Sequence, residues 1–110
     1  MKKVKKIWGD EEWIVNNNLY CGKILNLKKD YFCSFHFHKI KDETFFVLSG
    51  KVELKKGKKI MILNPGDSVR IKPLDKHSFL GLKKSKIIEF STEHFETDSY
   101  RLSPSGKLKK

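Results

Sequence analysis

The chain has too few cysteines to build a framework from them. Cys21 and Cys33 are the only two in 110 residues, which excludes a disulfide scaffold or a zinc ribbon, and both read as reduced thiols. Long apolar runs are missing as well. No stretch approaches the roughly 18 residues needed to span a bilayer, and the lysine-rich residues 1–6 lead into no signal-like segment. The expectation is a cytoplasmic protein with no membrane partner. Arginine is scarce, with Arg70 and Arg101 alone among 24 basic residues. A net charge of +11 invites a nucleic-acid reading, but the lysines are spread through every segment and guanine-reading arginine is nearly absent. No nucleic-acid partner is expected; the excess charge reads as a solvated surface that also speeds the arrival of small anions. Nor do apolar residues recur at helical spacing over three turns anywhere in the chain.

What is present is a succession of short strands in a chain long enough for one folded domain. Residues 6–18 mix aromatic and β-branched residues and read as a short strand with a loop before it. Residues 22–29 and 31–38 alternate, 44–48 form a continuous apolar run, and Gly50 permits a bend before Val52 and Leu54 alternate with Lys51 and Glu53. A lysine-rich turn at 55–59 leads to a strand at 60–63, and the turn at 64–67 leads to another at 68–71. A further turn at 73–76 delivers His77 at the head of a strand over 77–82, and the last strand covers 86–91. Residues 103–110 read as a flexible basic tail, leaving 1–102 as the domain. Many short strands separated by turns make an all-β sandwich or barrel.

The chemistry gathers in residues 36–50. On a strand, side chains two apart share a face, so Ser34, His36 and His38 point one way and Cys33, Phe35 and Phe37 the other. Two imidazoles then face one point, and Glu43, returning on the next strand, is placed to add a carboxylate. Imidazole nitrogen with carboxylate oxygen suits zinc, manganese, iron or nickel, and availability rather than the donors chooses among them. A His-x-His pair alone also occurs on ordinary half-buried strands, so its weight comes from the spacing that follows. There are four histidines in all, and three of them, His36, His38 and His77, fall where such a site needs them.

At this spacing the chain resembles the cupins. Their first motif, G-x5-H-x-H-x3,4-E-x6-G, is matched by His36, His38, Glu43 and Gly50, with Asp30 in the place of the leading glycine. Their second, G-x5-P-x-G-x2-H-x3-N, is met by Gly66 and His77, with Lys72, Leu74 and Gly81 replacing its proline, second glycine and asparagine. The departures fall on turn residues rather than ligands. The resemblance implies a single-domain cupin jelly-roll barrel of antiparallel strands, with His36, His38, Glu43 and His77 converging on one divalent metal ion.

The flanks, residues 7–13, 20–25 and 41–50, are similar to single-domain cupins related to the type II mannose-6-phosphate isomerases, and the placing of Lys41 is similar to that in D-lyxose isomerase-like cupins. This implies a sugar or sugar phosphate as the small-molecule partner, aldose–ketose isomerisation as the reaction, and a homodimer in which Phe35 and Phe37 are candidate interface residues. Such chemistry needs a base, and Glu89 or His94 is the candidate; Lys41 is placed to stabilise an oxyanion. Lys23 or Arg101 is a candidate phosphate grip and Trp13 a candidate sugar contact. Each has a plainer reading: Lys41 as a solvated loop charge, Glu89 as a partner for a neighbouring lysine, Arg101 as an anchor for the C-terminal segment, Trp13 as a buried side chain. Two other functions fit the same donors, an iron-dependent dioxygenase and a non-catalytic metal- or sugar-binding module.

Overall fold

A computed structural model describes residues 1–109. It contains thirteen strands: β1 (Lys2–Lys6), β2 (Gly9–Asn16), β3 (Cys21–Leu27), β4 (Tyr31–Phe32), β5 (His36–Phe37), β6 (Glu43–Ser49), β7 (Val52–Lys56), β8 (Lys59–Leu63), β9 (Ser68–Ile71), β10 (His77–Gly81), β11 (Ser85–Ser91), β12 (Tyr100–Arg101) and β13 (Gly106–Lys107). They form two antiparallel sheets. The first runs β1-β2-β3-β11-β6-β9. In the second, β10 pairs with β7, which carries β8, and also with the short β4 and β5, which carry β13 and β12. No described helix is long and apolar enough to cross a membrane.

Alternation along the central strands creates both a core and a site. On β3 the buried positions are Cys21, Lys23, Leu25 and Leu27; on β6 they are Glu43, Phe45 and Val47; on β11 they include Ile87 and Glu89. Register aligns these into rows, Trp13–Lys23–Glu89–Phe45 beside Glu11–Leu25–Ile87–Val47. One end of the inner face is therefore polar and the other apolar. The apolar end packs against Val52, Leu54, Leu63 and Phe79 of the second sheet. There Trp8 and Phe45 meet Phe79 edge-on, with centroids 5.3 and 6.0 Å away, contacts worth about 0.5–1.5 kcal/mol beyond their burial.

Four local expectations change. The strand expected within 6–18 is β2, and what precedes it is not a loop but a second strand: the lysine-rich β1 pairs along its whole length with β2 as a hairpin over residues 2–16; lysine there masked a strand whose outer edge faces water. The segment 31–38 is not continuous. Only Tyr31–Phe32 and His36–Phe37 are strand, and the break turns Cys33 inward, where its sulfur accepts a bond from the Phe79 amide at 3.3 Å. Cys33 therefore sits in the same cavity wall as Ser34 and His36. The segment expected as a flexible tail is built into the second sheet: Gly106 and Lys107 pair with Phe32 and Tyr31. Ser105 and Ser103 hydroxyls accept from the Ser34 and Phe35 amides at 3.0 Å each, supplying partners that the broken strand lacks. Lys110 lies outside the described residues.

The two replaced motif glycines keep glycine-like backbone. Asp30 and Leu74 are the non-glycine residues with positive φ, at 69° and 74°. The turns have retained their left-handed geometry while losing the residue best suited to it. Gly50 shows the opposite case. At φ 90° an added Cβ would fall 2.4 Å from the Lys84 carbonyl oxygen, so the bend into β7 accepts no side chain.

Candidate metal centre

His36, Glu43 and His77 each open a strand, so the site forms where three strands begin at the polar end of the barrel. His36 and His77 are direct cross-strand partners, with ring centroids 4.3 Å apart. His38 completes the set at 5.1 Å from His36 and 5.7 Å from His77. One ring nitrogen from each lies within 4.8 Å of the others, so the three histidines are positioned to hold a metal ion. Glu43 Oε2 stands 3.3 Å from Nε2 of both His38 and His77.

Two further observations fit these groups to a metal. Every Nδ1 is committed to a backbone carbonyl: His36 to Ser34 at 2.7 Å, His38 to Asp98 at 2.8 Å and His77 to Asp75 at 3.0 Å. A carbonyl only accepts, so each Nδ1 carries a proton, and in its neutral form each ring presents the Nε2 lone pair inward. In addition, Glu43 Oε2 and His77 Nε2 are buried with no hydrogen-bond partner, despite their 3.3 Å approach. Donors gathered at that spacing without bonding one another match ligands of a shared ion, which at bond lengths of about 2.1 Å stand roughly 3–3.5 Å apart.

The electrostatics favour a neutral His36 and an ionised Glu43. Burial first, then the neighbouring His77, push His36 down to about 3, which keeps it neutral. Burial pulls His38 the same way, but Glu43 and the Asp98 carbonyl outweigh it and leave its pKa raised. Burial works against the Glu43 carboxylate, yet His38, His77 and Lys41 hold its pKa well below the usual range.

A cavity of about 510 Å³ adjoins this cluster, and the sequence candidates meet there: His36, His38 and Glu43 with Lys41, Glu89, His94, Lys23, Trp13 and Arg101. His77 lies behind them, fully buried. Lys41 Nζ donates to Glu89 Oε2 at 2.9 Å, and Ser91 donates to the same oxygen at 3.0 Å. The plainer reading of Lys41 as a solvated charge is therefore wrong: it is 3% exposed. Burial disfavours its charge, but Glu89 and Glu43 overcome that and raise its pKa. Lys23 Nζ lies 3.6 Å from Glu11 Oε1 and 4.1 Å from the Trp13 ring centroid. His94 is lowered to about 3 by burial and by Lys41 and Lys23, and Asn16 holds its backbone through two hydrogen bonds. Arg101 is exposed at the cavity margin.

Sequence reasoning missed Asp98 and Glu11. Asp98 is buried, its carboxylate accepts from the amides of Lys39, Ile40 and Lys41, and its carbonyl holds the His38 ring. Nothing local marks it, since it lies in an unpatterned polar segment and acts about sixty residues back along the chain. Glu11 was findable, because it shares a strand face with Trp13 at period two.

Residues 24–89 match the family model described as the cupin domain. The chain belongs to the cupin family. Comparison with curated proteins returned no match. Among solved structures, this cupin is similar to KdgF from Halomonas sp. at TM-score 0.75 and 16% identity, covering 80% of this chain and 81% of that one. It is similar to an RmlC-like cupin from Shewanella frigidimarina at TM-score 0.80 and 15% identity, covering 87% and 86%. Streptomyces Pac13, solved with uridine and described as a nucleoside dehydratase, aligns at TM-score 0.81 and 12% identity over 93% and 84%. Identities this low show the shared fold.

Proposed function

We propose that this cupin is a metal-dependent isomerase that interconverts aldose and ketose forms of a sugar or sugar phosphate. The observation that carries the reading is the buried Lys41–Glu89 pair, joined at 2.9 Å, in the same cavity as the histidine cluster. A divalent ion held by His36, His38, His77 and Glu43 would supply a Lewis acid that polarises the substrate's carbonyl and hydroxyl oxygens. Moving a proton between adjacent carbons then needs a base beside them. Glu89 Oε2 is occupied by Lys41 and Ser91, whereas Oε1 makes no hydrogen bond among the described residues. Oε1 is the atom that takes the proton from the hydroxyl-bearing carbon and returns it to the neighbouring one. The Lys41 ammonium donates a hydrogen bond to the former carbonyl oxygen as negative charge develops there, and the proton of the neighbouring hydroxyl passes to that oxygen, so that the hydroxyl becomes the new carbonyl.

The test is turnover. Protein loaded with manganese, zinc, nickel or iron is assayed against free pentoses and hexoses and their phosphates. The expected result is interconversion of at least one aldose–ketose pair, lowered by about 10²-fold or more in Glu89→Gln with metal content unchanged. No turnover on any of them, or oxygen uptake dependent on ferrous iron in its place, refutes the reading.

A further inference from the structure

Two polar groups in the cavity wall lack a hydrogen-bond partner among the described residues, and neither belongs to the metal donors. Lys23 is 1% exposed, yet its ammonium makes no hydrogen bond among the described residues. Among the described residues the only carboxylate oxygen within 4 Å is Glu11 Oε1 at 3.6 Å, and that atom already accepts from Trp13 Nε1 at 2.9 Å. His94 Nδ1 is buried and unpartnered, although its backbone is fixed by Asn16 and its ring meets Trp13 edge-on at 5.1 Å. Burying a cation or an imidazole nitrogen without a hydrogen bond is costly. An unpartnered imidazole nitrogen beside an ammonium held only by a 3.6 Å ion pair and a ring face marks where a ligand supplies hydrogen bonds.

The ligand must satisfy a mixed set. Lys23 only donates, the Glu11 carboxylate only accepts, and a neutral imidazole does one of each. Charge adds a second constraint: the Lys23 ammonium is offset by Glu11, and Glu96 Oε1 lies 3.5 Å from His94 Nε2. Beside Lys23 and His94 a phosphate would meet the Glu11 and Glu96 carboxylates, whereas the cations Lys5, Lys6 and Arg101 line other parts of the cavity wall without a carboxylate within 4 Å among the described residues. A hydroxyl group both donates and accepts, and satisfies each wall group without bringing charge.

We propose that Glu11, Lys23 and His94 form a subsite for adjacent hydroxyl groups at the uncharged end of a polyol chain. The inference rests on the sugar reading of this site and selects a free sugar over a sugar phosphate. Trp13 is the positioning residue, holding Glu11 through Nε1 and bordering both Lys23 and His94. Lys23 is also the direct cross-strand partner of Glu89. Such pairs have Cβ atoms about 4.5–5.5 Å apart, so one sugar chain reaches both the subsite and the base.

The test titrates the full-length protein, as purified and after chelation, with xylitol and with inorganic phosphate by calorimetry. The expected result is saturable xylitol binding that survives chelation, is not displaced by equal phosphate, and weakens about tenfold or more in Glu11→Gln, His94→Gln and Lys23→Met. Phosphate binding that Lys23→Met abolishes, no xylitol binding, or xylitol binding indifferent to Glu11→Gln overturns the proposal. If Lys23→Met does not fold, the isosteric Glu11→Gln decides. Failure of the isomerase reading is separately visible as xylitol binding without turnover of any sugar, whereas turnover confined to sugar phosphates overturns the subsite alone.

Discussion

Asp98 offers the sharpest perturbation, because one buried carboxylate holds the loop that joins two proposed metal ligands. Its oxygens accept from the Lys39, Ile40 and Lys41 amides at 2.9, 3.1 and 3.0 Å, and its carbonyl orients His38 at 2.8 Å. Hydrogen bonds to a charged group contribute about 1.5–3 kcal/mol each, but three bonds to one carboxylate do not add, and the buried charge has lost its water. We expect Asp98→Ala to destabilise the metal-free protein by about 3 kcal/mol, and Asp98→Asn, which keeps one acceptor oxygen, by about half that. Loosening a group that orients a ligand typically costs 10–100-fold in metal affinity, so the folded Asp98→Ala protein should bind its metal correspondingly more weakly. Urea unfolding of the apoprotein measures the first effect, and competition with a chromogenic chelator, under conditions where both proteins are folded, measures the second. A variant that loses the stability but keeps wild-type metal affinity would refute the positioning role. One that loses neither would refute the hydrogen-bond accounting as well.

Three further outcomes follow from the same structure. Leu74→Gly should stabilise the protein by about 0.5–1 kcal/mol: relief of a left-handed backbone is worth roughly 1–2 kcal/mol, the gain in unfolded-state entropy takes part of it back, and a side chain 63% exposed forfeits little burial. A lower midpoint on thermal melting would contradict this. His94, lowered to about 3 from an unfolded value near 6.5, leaves the unfolded chain binding more protons between those pH values. Its contribution is thus present above about pH 6.5 and lost as pH falls toward 3, with a limiting slope of about 1.4 kcal/mol per pH unit for a full proton. His94→Gln should flatten the acid side of the apoprotein stability curve, and an unchanged curve between pH 6 and 4 would rule this out. Cys33, buried and pushed up to about 12, and Cys21, raised by burial and then Glu89, should resist iodoacetamide at pH 8 until the protein is unfolded, as read by mass spectrometry.

How much of this was legible beforehand follows from the range of each interaction. The ligand cluster was legible because His36 and His38 sit two apart, and Glu43 and His77 recur at the spacing of two short motifs; strand periodicity and turn spacing are local properties of the chain. The barrel class was legible for the same reason, from alternation broken by turns. Alternation misled at Cys33, where the strand breaks and partners come from Ser103 and Ser105, about seventy residues away. It was silent about Asp98, whose residue type and neighbours carry no pattern. By itself, then, the sequence determined an all-β cupin and its three histidines with Glu43. Tertiary structure alone decided that Lys41 is buried on Glu89, that Lys23 stands without a hydrogen bond beside Glu11, and that the C-terminal segment completes the site. Those facts depend on which strands become neighbours, and strand pairing joins residues whose separation along the chain leaves no local trace.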